Sequence, residues 1–237
     1  MGTSERHKGA QLSNDHIFFM GSDAQCTTTI EQHDVGDESY PSFLGQTNLY
    51  SIISSNIQEL NTKKQKHKLQ LISELANNEN TLTITLTEMH LNEKILDSEI
   101  QMKNYIEFRA DRTFGRKNGG VITFIKATEA VDAEQLIAKS NSYVEYQLIH
   151  MKKRNIVIIN VYRPPDCPTE KFCSPLNELR TKLLEIGNRM PNIIFTGDLN
   201  FPTIDWQMET TDGGTHENQV QANAFLNLHR NNAYSNI

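Results

Sequence analysis

Apolar positions along this chain follow two rhythms. The stretch "TLTITLTE" (81–88) alternates strictly, Leu82, Ile84 and Leu86 against threonines, which predicts a strand that ends in Glu88. "LYSIISSNI", "GGVITFIK", "SYVEYQLIHM" and "NIVIINVYR" predict four more strands. The last is stopped by Pro164 and Pro165, since neither proline can donate to a sheet ladder. "NIIFTGD" returns to strand and ends in Asp198. The second rhythm steps by three and four residues. Phe172, Leu176, Leu179, Leu183, Ile186 and Met190 predict the clearest helix, with Ser174 and Pro175 as cap and first position of its longer part. A helix is also predicted over 61–80, with Leu69, Ile72 and Leu75 on one face, and a weaker one over "NQVQANAFLNLHRNN". Strands and helices mix without regular βαβ alternation, which predicts packed sheets with helices outside rather than a doubly wound sheet.

Residues 1–47 show neither periodicity, apart from the short "IFFM", and are expected to be a disordered tail. The structured domain is expected over 48–237. At 237 residues the chain can hold one sizeable α/β core. Its net charge of −6 argues at first against a phosphate-rich partner. The tail, however, holds two Lys/Arg against seven Asp/Glu and so carries −5 of that charge, leaving −1 for the domain. A near-neutral body neither supports nor excludes DNA. Cys26, Cys167 and Cys173 are odd in number and lack the paired spacing of a zinc site, so free thiols in a reducing compartment are expected. No basic-then-apolar leader and no bilayer-length apolar run is present, which predicts an intracellular protein with no membrane partner.

Three strand ends carry groups suited to phosphate-ester chemistry: Glu88, Tyr162, and the pair Asp198 and Asn200. Alternation puts Asp198 and Asn200 on one side of an extended chain. A carboxylate can orient an attacking water while an amide beside it donates to a phosphate oxygen. Magnesium commonly takes only one or two protein carboxylates, so a lone Glu88 can suffice. Each signal alone is weak, because strand-end carboxylates are mostly just solvated and Gly-Asp is ordinary turn chemistry.

Together, and in this order, "SSNIQEL", "LTEMHL", "YIEFRADRTFGRKNGGVITFIK", "NVYRPPDCP" and "IIFTGDLNFPTIDW" resemble the endonuclease domain of non-LTR (LINE-type) retrotransposons, in the endonuclease/exonuclease/phosphatase superfamily. The resemblance implies a four-layer α/β sandwich, two packed and mainly antiparallel sheets flanked by helices. It also implies Mg²⁺-dependent hydrolysis of a DNA phosphodiester that nicks one strand. By the same resemblance Glu88 is a metal ligand with Asn56 at the same site, Tyr162 lies near the scissile phosphate, Asp198 handles the nucleophilic water, and Asn200 contacts phosphate. Arg109, Arg112, Arg116 and Lys117, placed in a loop before "GGV", are candidates for the DNA backbone, Asn61 an alternative to Asn56.

The same family continues to a strand carrying an aspartate and a terminal Ser-Asp-His, which these 237 residues do not contain; His216 and His229 are not expected to replace them. The expectation is therefore a domain incomplete at its C-terminus, lacking its last strands, with activity weakened or lost and a reverse transcriptase encoded downstream. A nuclear location would follow from action on chromosomal DNA. The alternatives are a non-catalytic remnant or binding module, and a phosphoesterase of the same superfamily with a non-DNA substrate.

Overall fold

The computed structural model describes residues 16–18, 26–32, 48–57, 66–78, 80–91, 94–113, 119–186, 191–206 and 208–233. One five-stranded sheet is built from β2 (Cys26–Gln32), β3 (Asn48–Asn56), β4 (Thr81–Thr87), β5 (Tyr105–Ala110) and β6 (Val121–Lys126), in the order β2-β3-β4-β6-β5. The other is built from β1 (His16–Phe18), β7 (Ala133–Ser140), β8 (Glu145–Met151), β9 (Ile156–Tyr162) and β10 (Asn192–Asp198), in the order β1-β10-β9-β8-β7. Antiparallel neighbours outnumber parallel ones, and the parallel pairs are β3 with β4, β9 with β10, and β10 with β1.

Helix α1 (Lys66–Asn78) covers the outer face of the first sheet, where Leu69, Ile72 and Ala76 pack on Ile53, Ile84, Leu86, Ile122 and Phe124. A short α2 (Asp97–Ile100) buries Ile100 in the same cluster. Helices α3 (Thr169–Glu185) and α4 (His216–Ala233) cover the outer face of the second sheet. There Phe172, Leu176, Leu179, Leu183, Phe225 and Leu226 meet Val157, Ile159, Val161, Ile193 and Phe195. A two-stranded ribbon, β11 (Ile204–Asp205) with β12 (Thr210–Thr211), joins β10 to α4. The result is four layers, helix, sheet, sheet, helices, as in the endonuclease/exonuclease/phosphatase sandwich.

The space between the sheets changes character along its length. At one end it is apolar, filled by Ile52, Leu82, Ile125, Ile149, Met151, Ile156, Ile158 and Ile194. Toward the other end the inward positions turn polar in step, Val121 excepted. In the second sheet the paired rung Ile194–Ile158–Ile149 gives way to Thr196–Asn160–Gln147 and then to Asp198–Tyr162–Glu145. In the first sheet Ile52–Thr83–Ile125 gives way to Ser54–Thr85–Thr123 and then to Asn56–Thr87–Val121. Hydrogen bonds replace apolar contact across this half: Asn160 Nδ2 donates to Ile122 O at 3.1 Å, and Gln147 bonds the Thr123 hydroxyl. Burying polar groups without partners is costly, so a polar seam of this kind points to what stands at its mouth.

Several expectations need correction. Within the supposed tail 1–47, two segments are strands on sheet edges, β1 and β2; the rest of 1–47 lies outside the described residues. The threonine run of β2, "CTTTIEQ", is β-branched and suits a strand without showing period two. Helix α3 starts earlier than expected, with Pro168 as its N-cap, so Pro175 is inside the helix and buried. Strands β5 and β7 were not anticipated, and Arg109 stands on β5 rather than in a loop.

Candidate active site

The C-terminal ends of four strands, two from each sheet, meet on one rim. From the first sheet come Asn56, the last residue of β3, and Glu88, which follows β4; Asn56 is the register partner of Thr87, the residue before Glu88. From the second sheet come Tyr162 and Asp198, register partners at the ends of β9 and β10, followed by Asn200. Asn56 Nδ2 donates to Asp198 Oδ2 at 2.8 Å, a bond between residues 142 positions apart that ties one sheet to the other. The Tyr162 hydroxyl donates to Glu88 across the same gap. The five residues singled out from strand ends and resemblance thus lie together.

Backbone geometry places them. Glu88 (φ 54°) and Asn200 (φ 50°) both adopt the left-handed region, uncommon for non-glycine residues, which turns each chain sharply off its strand. Gly197, inside β10, has φ 127°, and a Cβ there would lie 1.9 Å from Val161 O. Only glycine lets β10 lie this close to β9 just before Asp198, which is the physical reason for the Gly in "TGDLN".

The electrostatics follow from burial. Asp198 is 3% exposed. Desolvation raises its carboxyl above the ordinary aspartate range, and the nearby Glu88 charge adds to this. The Asn56 amide and the Asn200 backbone N–H, 3.2 Å from Oδ1, pull the other way. Burial, then the hydrogen bond to Glu88, raises the Tyr162 phenol well above its usual value, so it stays a neutral donor at physiological pH. Asn200 Nδ2 donates to Arg163 O at 2.8 Å, and the same side chain also favours the ionised Asp198 carboxylate.

Arg112 is corrected as a DNA contact. Its guanidinium donates to Glu145 through Nε (2.5 Å) and Nη2 (2.8 Å) and to Tyr143 O (2.6 Å), with side-chain exposures of 5% and 0% for the pair. It is committed inside the protein, with its Cζ 5.8 Å from the centre of the Tyr162 ring. Arg109 is bound to Asp97 and Asp111. Arg116 and Lys117 lie outside the described residues, as does Asn61. The Arg112–Glu145 pair, buried against the site, had no sequence signal of its own. Arg163 stood within the "YRPP" motif without being singled out.

Among the described residues no three or more His, Cys, Asp or Glu side chains gather as a metal cluster. Glu88 and the Asn56 carboxamide oxygen are hard oxygen donors on one rim. That sparse set fits magnesium, which takes the rest of its shell from water and substrate oxygens, and does not fit zinc.

The fold is the four-layer sandwich of the endonuclease/exonuclease/phosphatase proteins, with this rim at one end of the two sheets. Over residues 156–236 the chain matches the model of the family described as endonuclease-reverse transcriptase. Comparison with curated proteins gives no match. Among solved structures, the AP endonuclease LMAP from Leishmania major is similar at TM-score 0.52 and 17% identity, covering 77% of this chain and 66% of that one. A 3' phosphatase, NExo from Neisseria bound to product DNA hairpin, is similar at TM-score 0.50 and 16% identity, covering 76% and 70%. The endonuclease domain of TRAS1, a telomere-specific non-LTR retrotransposon, gives TM-score 0.47 and 15% identity over 76% and 70%. The chain therefore spans about two thirds of the length of these structures. No helix among the described residues is long and apolar enough to cross a membrane.

Proposed function

We propose that this chain carries the site of a magnesium-dependent DNA endonuclease that hydrolyses one phosphodiester and leaves a nick. The observation that carries the reading is the Asn56–Asp198 hydrogen bond, which joins the two sheets where Glu88, Tyr162 and Asn200 also stand. In this mechanism Asp198 accepts the proton of the attacking water. Oδ2 is held by Asn56, and Oδ1, already facing the Asn200 N–H, keeps a lone pair for that proton. The Asn200 amide and the neutral phenol of Tyr162, its single O–H turned from Glu88 to the substrate, donate to the phosphate oxygens, where negative charge grows in the transition state. Glu88 and Asn56 would hold Mg²⁺, which supplies Lewis-acid stabilisation of that charge. The substrate class rests on the family match and on the superfamily's nuclease members, with the near-neutral domain contributing little steering of its own.

The test is conversion of supercoiled plasmid to the nicked form at low salt, because phosphate contacts weaken steeply as salt rises. Nicking is expected with Mg²⁺, is expected to be absent in EDTA, and is expected to be lost in Asp198→Ala and Glu88→Ala. Nicking that survives both substitutions, or no nicking by the folded wild-type chain with Mg²⁺, overturns the proposal.

A further inference from the structure

The largest fully buried side chain described is that of Arg163, at 0% exposure, directly after Tyr162. No carboxylate forms an ion pair with it among the described residues; Asp166, Glu217 and Asp198 act on it only at a distance. Its guanidinium is instead spread over neutral acceptors: Nε to Gln221 Oε1 (2.7 Å), Nη1 to Leu199 O (3.0 Å) and Asn200 O (3.3 Å), Nη2 to Asn218 Oδ1 (3.2 Å). It lies over the Phe201 ring at 4.2 Å and near the Phe172 ring at 5.6 Å. Gln221 is held in turn by Cys167 O.

A buried cation without an anionic partner is an expensive way to fill space, and an apolar residue of similar size would cost less. What the guanidinium does that an apolar residue cannot is hold two consecutive carbonyls, those of Leu199 and Asn200. The backbone of the same residue grips both ends of that segment, since Arg163 N donates to Asp198 O at 2.8 Å and Arg163 O accepts from Asn200 Nδ2 at 2.8 Å. Three residues, one of them left-handed, are thus fixed by a single neighbour whose far side is anchored on α4.

We propose that Arg163 is a positioning residue: it sets the orientation of the Asn200 amide toward the phosphate and couples the seating of α4 to the site. This rests on the reading of Asn200 given above. The test uses the full chain, with Arg163→Lys, Asn200→Ala and the double substitution. Plasmid nicking should show kcat lowered about 10²-fold in Arg163→Lys, the loss typical of a misplaced catalytic group, with KM within about twofold. In the Asn200→Ala background the same change should have no further effect. An equal loss in both backgrounds overturns the proposal. An independent readout is hydrogen exchange of the Asn200 side-chain amide by ¹⁵N NMR, which needs no activity. Faster exchange in Arg163→Lys supports the proposal and unchanged exchange overturns it, so a chain that does not nick sinks only the nuclease reading. If Arg163→Lys does not fold, Gln221→Met, which removes one acceptor, is expected to give the same pattern more weakly. No change in either readout with that variant overturns the proposal.

Discussion

Glu145→Gln is a severe test of how the polar half of the interior is held. Glu145 is fully buried, and it binds Arg112 through two bonds of 2.5 and 2.8 Å, with Ser140 Oγ at 3.2 Å and the Gly120 N–H as further donors. Burial raises its carboxyl pKa while these donors lower it. The amide keeps the shape but leaves the Arg112 guanidinium in the interior without a counter-charge. Removing one partner of such a pair costs about 3–5 kcal/mol. In a domain of this size that corresponds to a fall in Tm of roughly 6–20 °C. The surface pair Lys139–Glu178, with side chains 56% and 35% exposed, is the control, and Lys139→Met should cost under about 1 kcal/mol. Replacing both buried partners, Arg112→Met with Glu145→Met, should cost clearly less than the two single changes added together, because neither charge is then stranded. Urea unfolding of the five variants, Glu145→Gln, Lys139→Met, Arg112→Met, Glu145→Met and the double, reads this directly. A Glu145→Gln cost below about 1 kcal/mol, or strict additivity of the pair, refutes the reasoning.

Three further outcomes are expected. Asn56→Ala removes a donor that favours ionised Asp198, so the acid limb of the kcat/KM profile for nicking should move to higher pH; a shift downward or none rejects the assigned coupling. Asp198→Asn should abolish nicking yet raise Tm at neutral pH. Because the folded-state pKa of Asp198 lies above its unfolded value, wild-type stability is penalised once pH exceeds the folded pKa, and the variant's advantage should vanish as pH falls below the unfolded pKa. Gly197→Ala should destabilise by more than ~3 kcal/mol, measured by denaturation, since the new Cβ has no room beside Val161 O.

The strand ends were legible because period-two alternation stops where polar residues begin, as in "TLTITLTE" and "NIIFTGD". The helix faces of α1 and α3 were legible for the matching reason at period 3.6. The polar seam was not. Asn160 sits in "IVIINVY" among apolar neighbours on both sides, and a single chain does not say that its inward face will meet Thr123 of another sheet. Strand β7, "AEQLIAKS", is mostly half-exposed, so its pattern is too weak to separate from a loop. Arg112 read as a loop cation because its partner Glu145 lies 33 residues away, a distance that local pattern cannot bridge.

The two sheets are written into the chain one after the other. Strands β2 to β6 fall between residues 26 and 126, and β7 to β10 between 133 and 198; among the described residues only the three of β1 cross over. Each half can pair its strands without waiting for the rest, but Asn56 and Glu88 belong to the first half, and Tyr162, Asp198 and Asn200 to the second. The site therefore exists only once the two halves dock, with closure over 142 residues at the Asn56–Asp198 bond. A chain severed in the turn between Lys126 and Ala133 would yield two fragments, neither holding a site, that reconstitute one only by finding each other.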